Sequence, residues 1–381
     1  YPIRFLSLAV PIGLSFHTFQ SLSYVIEVYR GHQKAERNFG RYSLYVMFFP
    51  QLVAGPIERP QHLLPQLNCD YRFDYSRVTN GLKLMFWGFF KKVVIADRLA
   101  IVVNIVYNNP KEHTGIMLIL ATYFFAYQIY CDFSGYTDIA RGAARILGVE
   151  LMENFNAPYR SRSIKEFWQR WHISLSTWFK DYVYIPLGGN RGSLLRQRFN
   201  IMITFLISGL WHGANWTFII WGLLHGLAYN VCLLPRKIKK DVFKQSSNDN
   251  HIHNFLQYLL TLIFVCLTWI FFRANTLDDA FYIFTHLGKG VDRLWLHYNH
   301  FGQGMDVLGL RNVGLVKQEY VKNFFLILFL TLVNRLGSSD SIIRGISQRP
   351  IVIRWTVYYI LIFWLIFWGV FRPSQFIYFQ F

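Results

Sequence analysis

The sequence is poor in charge. Only 16% of its 381 residues are Asp, Glu, Lys or Arg, where soluble globular domains carry about 25%. Acids are scarcer than bases, 21 against 39, for a formal net charge of +18. Cysteine is sparse as well: Cys69, Cys131, Cys232 and Cys266 are far apart with no CxxC, which argues against a zinc ribbon or a disulfide framework and leaves them as small buried hydrophobes. No GxSxG elbow supports a hydrolase built on Ser174 or Ser176 with Asp181. The run Gly188-Gly189-Asn190-Arg191-Gly192 lacks the GK[ST] ending of a phosphate loop and reads as a turn. Nucleic acid is not an expected partner, because no recognition motif accompanies the positive charge. There is no repeat of the length that marks solenoids and no low-complexity tract. A secretory signal, with its basic n-region and small-residue cleavage site, is also missing. The chain starts at Tyr1 inside an apolar stretch, and the expectation is that N-terminal spans precede it.

What remains is apolar and aromatic. Hydrophobic residues make up 53% of the chain and aromatics 19%, and the mean hydropathy is +0.23. The apolar runs recur along most of residues 1–381, so one polytopic membrane domain is the expected organisation. Residues 3–29 are broken by Pro11, Gly13, His17 and Glu27 and read as an irregular or partly embedded helix. Residues 42–57 are too short and too interrupted by Pro and Gly for a span of about 20 residues. A re-entrant segment fits them better, since broken backbone survives at membrane depth only where protein or water satisfies it. Residues 84–107 and 115–131 are long enough to span, and 132–198 read as a long polar stretch. In the first of these, Lys91, Lys92, Asp97 and Arg98 must face protein, water or an interface. A hairpin of 199–211 and 216–234 is hinged at His212–Asn215. Further apolar runs lie at 255–272, 323–334 and 355–371, the second short for a full crossing.

The bases are unevenly distributed. Residues 160–198 carry eight Lys/Arg against two acids, 236–254 five against two, and 335–354 four against one, whereas 274–322 carry five of each. The positive-inside rule puts the three basic segments in the cytoplasm, against anionic lipid, and the balanced one outside.

Two histidines stand in the aromatic, apolar sequence: His172 in RWHISLSTW and His212 in SGLWHGANW. An ionisable residue at membrane depth is by default a functional candidate. His212 sits at the hairpin break beside Gly209 and Gly213, which allow close approach, with Trp211 and Trp216 to exclude water and Asn215 as a polar neighbour. Its ordinary pKa suits a general base. His172 is expected within an amphipathic helix, sharing a face with Ser176, with Trp171 and Trp178 seven apart and Arg170, Trp168 and Lys165 making a basic, aromatic interfacial element. It reads equally as a second polar group of the cavity and as part of an anchored interfacial helix. His17 and His225 read as packed histidines. Asp132 and Asp138, beside an apolar span, read first as structural ion-pair partners of Arg141 or Arg145 and second as groups that polarise a donor. Glu58 and Arg59 are expected as a pair at a membrane edge.

The segments PIGLSFHTFQSLSYVIEVYRG (11–31), FFPQLVAGPIERP (48–60), FFKKVVIADRLA (89–100), YQIYCDFSGYTDIARGAARILG (127–148), RSIKEFWQRWHISLSTWFKDYVYIPLGGNRG (162–192) and GLWHGANWTFIIWGLLHG (209–226), with RPSQFIYFQF (372–381) at the end, together resemble the membrane-bound O-acyltransferase family. They look most like its branch that contains the alginate O-acetyltransferase membrane subunit. The resemblance implies an all-α multi-helix bundle with re-entrant segments and a central funnel, in a bacterial inner membrane. It implies an essential histidine at His212 and a second motif histidine at His172. Trp211, Asn215, Ser176, Arg170, Trp178 and Asp138, read from their positions beside these, are the substrate-contacting candidates. The resemblance also implies transfer of an acetyl or other acyl group from a cytoplasmic thioester, acetyl-CoA or an acyl carrier protein, with no tightly bound cofactor or metal. The acceptor would be an exported polysaccharide or an extracytoplasmic acyltransferase partner. Two other classes fit the residues: a transporter with broken helices and midplane histidines, and a non-catalytic scaffold of an export and modification complex.

Overall fold

The computed structural model describes residues 13–113, 115–234, 251–289, 317–371 and 376–377. The linker charges of 236–250, the charges of 290–316, residues 3–12 of the first apolar stretch and most of 372–381 lie outside the described residues. The described residues are helical, with no strand among them.

Three short helices come first: α1 (Leu14–Tyr29), α2 (Phe39–Met47) and α3 (Pro60–Leu67). Each boundary has a local cause. Gly13 enters α1 at φ 80, a conformation only glycine adopts cheaply. The Asn38 side chain accepts from Arg41 N–H at the start of α2, and Pro60 opens α3 where its missing N–H costs nothing.

Between α2 and α3 the chain is irregular yet buried: Phe48, Gln51, Ala54, Ile57 and Glu58 are all inside. Its polar backbone is met by side chains: Tyr45 Oη donates to the Glu58 carbonyl at 3.0 Å, and Ile57 N–H donates to Ser174 Oγ at 3.0 Å. The Glu58 side chain in turn accepts from Met152 N–H at 2.5 Å. This is the segment whose broken sequence ruled out a simple span.

α4 (Tyr75–Phe89), a π-helical stretch (Phe90–Ala96) and α5 (Asp97–Asn108) form one continuous run, packed antiparallel against α6 (Ile116–Ile146). Glycines allow the close approach. A Cβ on Gly81 would collide with the Gly142 carbonyl, and one on Gly88 with the Gly135 carbonyl. Both pairs are seven residues apart, so they recur on one face of each helix, as close helix pairing in a membrane requires.

α6 is the axis of the fold. Of its apolar stretch 83% is buried, against 6% for α15 (Ile351–Trp368), which faces outward. Together with α11 (His251–Arg273), these are three helices long and apolar enough to cross a membrane.

α6 corrects the expectation of a polar stretch from 132 onward: residues 132–146 are the second half of this buried helix. Its charges are tolerated because the π-helical stretch brings counter-charges to them. Lys91 Nζ lies 2.8 Å from Asp138 Oδ2, and Lys92 Nζ lies 2.7 Å from Asp132 Oδ1 and 2.8 Å from Asp97 Oδ1. Arg98 pairs with Glu319. The four charged residues of 91–98 therefore face protein.

α7 (Ile164–Arg170) and α8 (Ile173–Phe179) follow, then a π turn (Lys180–Tyr184). α9 (Leu194–His212) and α10 (Trp216–Cys232) form the expected hairpin, crossing closely where Gly209 meets the Phe218 carbonyl and Gly222 the Phe205 carbonyl. α12 (Leu277–His286), α13 (Lys317–Val333), α14 (Ser339–Ser347) and α15 complete the order. The short run at 323–334 is thus the core of a 17-residue helix.

The two ends of α6 differ in charge. At its start, Gly115 N–H donates to the His286 carbonyl, in the charge-balanced segment. At its far end, Arg145 Nη1 lies 2.7 Å from Asp340 Oδ1, and Arg160 Nη1 donates to the Asn334 carbonyl at 3.2 Å. Two of the three basic segments therefore meet at one end of a helix about 46 Å long.

Candidate active site

Both motif histidines sit at helix breaks. His212 ends α9, and Gly213–Asn215 separate it from α10. His172 lies between α7 and α8, not within a helix as its spacing to Ser176 suggested, and takes a left-handed backbone conformation with φ 44. For a residue with a Cβ that costs about 1–2 kcal/mol. The neighbours hold it there. Ile173 N–H donates to the Asn154 carbonyl at 3.0 Å, and Ser174 N–H donates to Asn154 Oδ1 at 3.1 Å.

Aromatic rings frame the pair. His172 is buried, edge-on to Phe133 at 4.6 Å and stacked with Phe16 at 6.3 Å between ring centroids. Phe16 also packs against Trp211 at 6.1 Å, and Trp211 lies 4.7 Å from the His212 ring. His212 is partly exposed and is edge-on to Phe272 at 5.0 Å and Trp221 at 5.2 Å. The two imidazoles thus lie on one wall of rings, linked through Phe16 and Trp211.

A cavity of about 660 Å³ opens beside them. Ile173 and Ser176 line it, next to His172, and Ser208 lines it one helical turn before His212 on α9. Its charged lining is Lys165, Lys180 and Arg191, with no acid. These residues belong to the basic segment 160–198, and Gly188–Arg191 form part of the rim. The charged lining of the cavity is therefore wholly positive, and neither His172 nor His212 is itself among its lining residues.

The other candidates separate. Ser176 lines the cavity, its Oγ donating to the Trp171 carbonyl at 3.1 Å. Trp211 belongs to the ring wall between the histidines. Asn215 caps α10, its Oδ1 accepting from Thr217 N–H at 3.1 Å. Trp178 is tied to α1, donating to the Phe19 carbonyl at 3.1 Å and to Ser23 Oγ at 2.8 Å. Arg170 pairs with Glu166 at 2.9 Å. Neither Trp178 nor Arg170 is among the cavity residues. Asp138 is paired chiefly with Lys91 and accepts from Ser339 Oγ at 2.6 Å, with Arg141 farther away at 3.8 Å. That is the structural ion pair, with a different cation in the leading place.

His225 is fully committed to packing. Trp168 Nε1–H donates to His225 Nδ1 at 3.2 Å, and His225 Nε2 meets Thr268 Oγ1 at 3.0 Å. Indole nitrogen only donates, so Nδ1 accepts and Nε2 carries the proton. Thr268 passes its own hydroxyl hydrogen to the Val265 carbonyl at 2.8 Å.

Sequence reasoning missed Asn154, Phe16 and the cavity cations Lys180 and Arg191. The two cations stood within the segment whose excess charge was visible. Asn154 and Phe16 carried no signal, because their importance comes from what lies against them. Among the described residues, no group of three His, Cys, Asp or Glu side chains is placed to hold a metal ion.

A sequence profile of the membrane-bound O-acyltransferase family matches residues 25–273. The protein named "Probable alginate O-acetylase AlgI" of Azotobacter vinelandii is 43% identical over 271 residues, covering 71% of this chain and 52% of its own length. The "Peptidoglycan O-acetyltransferase" of Helicobacter pylori is 38% identical over 304 residues, 72% of this chain and 56% of its own. The "Teichoic acid D-alanyltransferase" of Bacillus subtilis is 30% identical over 275 residues and 69% of each chain. The chain spans about half the length of the alginate relatives it matches.

Proposed function

This chain belongs to the membrane-bound O-acyltransferase family, and we propose that it transfers an acetyl group from a cytoplasmic thioester to hydroxyls of an exported polysaccharide, directly or through an outer-face partner protein, in a bacterial inner membrane. The observation that carries the reading is the placement of both motif histidines at helix breaks around one ring wall, beside an acid-free basic cavity.

The thioester enters from the basic end. Lys165, Lys180 and Arg191 draw in the phosphates of acetyl-CoA or of a carrier's prosthetic arm. The acyl carbonyl is carried past Ser176 toward Ser208 and the histidines. The acceptor hydroxyl arrives from the opposite end of α6. His212 takes its proton as the oxygen attacks the carbonyl carbon. The new C–O bond forms, the C–S bond breaks, and the proton passes to the leaving thiolate. His172 orients a reactant or stabilises the developing charge. The surrounding rings keep water from hydrolysing the thioester. The names of the relatives, acetyl transfer to alginate and to peptidoglycan among them, support acetyl as the group and a glycan as the final acceptor. No cofactor is required by this chemistry beyond the donor itself.

The test is transfer from radiolabelled acetyl-CoA by the full-length protein in native membranes, wild type against His212→Ala. Loss of transfer in a folded variant is the expected result. Undiminished transfer would remove His212 from the chemistry.

A further inference from the structure

His172 holds a backbone conformation that its own side chain disfavours, and one buried residue meets the chain on both atoms that follow it. Asn154 has no exposed surface. Its carbonyl accepts from Ile173 N–H at 3.0 Å and its Oδ1 from Ser174 N–H at 3.1 Å. The first N–H groups of a helix have no partner within the helix, and at α8 it is Asn154 that supplies two. His172 itself, the N-cap of α8, makes no side-chain cap bond. The cap of α8 is thus supplied by a distant residue and not by the capping residue itself.

Asn154 is itself anchored. Its Nδ2 reaches Thr137 Oγ1 on α6 at 3.5 Å, and the next residue, Phe155, packs against Trp171 at 5.0 Å and His172 at 6.5 Å. Ser174 is fixed from the other side by Ile57 N–H. Strained conformations persist where the surroundings over-determine them, and they cluster at functional sites.

We propose that Asn154 is the positioning residue for His172: it caps α8 in place of the histidine, locks the left-handed turn, and so sets the direction of the imidazole in the acyl-transfer site. It touches no reactant. The proposal rests on the reading of His172 as part of that site.

The test is a double-mutant cycle on the full-length protein in membranes: wild type, Asn154→Ala, His172→Ala and the double variant, with acetyl-CoA as donor and thermal unfolding measured alongside. Misplacing a catalytic group by about 1 Å can cost on the order of 100-fold. Asn154→Ala is therefore expected to lower kcat about 10- to 100-fold with KM for acetyl-CoA nearly unchanged. It is expected to add no further loss in the His172→Ala background. A normal kcat in Asn154→Ala, or the same fold loss in both backgrounds, overturns the proposal. If Asn154→Ala does not fold, Asn154→Asp is measured in its place, since it keeps both acceptor oxygens. It should keep kcat near wild type, and a loss as deep as that of His172→Ala overturns the proposal. Full activity in His172→Ala would instead overturn the role given to His172, and the two failures are distinct.

Discussion

His172 and His212, forty positions apart in sequence, are joined through two rings: Phe16 stacks on the first and meets Trp211, which lies against the second. Each imidazole terminates or precedes a helix, so neither is confined to the register of a helix face.

The first prediction concerns this pair. His212→Ala should lower kcat by about 10²- to 10⁴-fold, the usual worth of a positioned general base. His172→Ala should cost the same or less. Because residues that act as one unit are not additive, the double variant should be little worse than His212→Ala. Single-turnover transfer in membranes measures all three, and a double variant slower by the product of the two single losses would mean that the histidines act separately.

The second concerns the cavity mouth. Lys180 and Arg191 are exposed, so their pull on an anionic donor is screened by salt. Lys180→Gln with Arg191→Gln should raise KM for acetyl-CoA, leave kcat near wild type, and flatten the dependence of KM on ionic strength. The same variants measured with an uncharged short-chain thioester should show no change in KM. A matching rise with that donor would place their effect on folding or cavity shape.

Much of this was legible in the sequence, and the exceptions share a cause. The hairpin of 199–234 was readable because its break carries Gly213 and Asn215 between two apolar runs. The two histidines were readable because an ionisable group in apolar sequence is expensive. The second half of α6 was not, because Asp132, Asp138 and Arg141 look unburiable until Lys91 and Lys92, some forty residues earlier, are brought to the same place. The left-handed turn at His172 was hidden for a like reason. Nothing local asks for it, and it exists because Asn154 holds the residues that follow. The glycines at 81, 88, 135 and 142 show the opposite failing: their seven-residue spacing was on view in both helices, and only the pairing of the two gives it meaning.

The third prediction is a pH effect on stability outside the spans. His62 Nδ1 lies 2.6 Å from Glu58 Oε2, and that hydrogen bond raises the pKa of His62, against a smaller opposing effect of burial. A raised folded-state value means that this contribution is complete below the ordinary histidine value of about 6.5 and fades as pH climbs through the higher folded one. Wild type should therefore lose thermal stability relative to His62→Gln as pH rises from 6 toward 8. A gap between the two that is constant over that range would show that His62 does not titrate in the fold.

The fourth concerns His225, buried without touching the cavity. Its Nδ1 is the acceptor for Trp168 Nε1–H, and Trp168 is a cavity wall. His225→Leu keeps most of the volume and removes that acceptor. A buried donor left unmet costs about 1–3 kcal/mol, so the variant should melt earlier than wild type. The indole, freed from its partner, should also turn, and the turn is read by the donor: KM for acetyl-CoA should rise while kcat falls less, because His225 reaches neither His172 nor His212 by a hydrogen bond. His225→Gln offers an amide oxygen to the indole and should recover part of both effects. If His225→Leu instead lost kcat as completely as His212→Ala with its fold intact, His225 would have to be moved from the wall into the chemistry, and the tautomer fixed by Trp168 and Thr268 would become part of the mechanism.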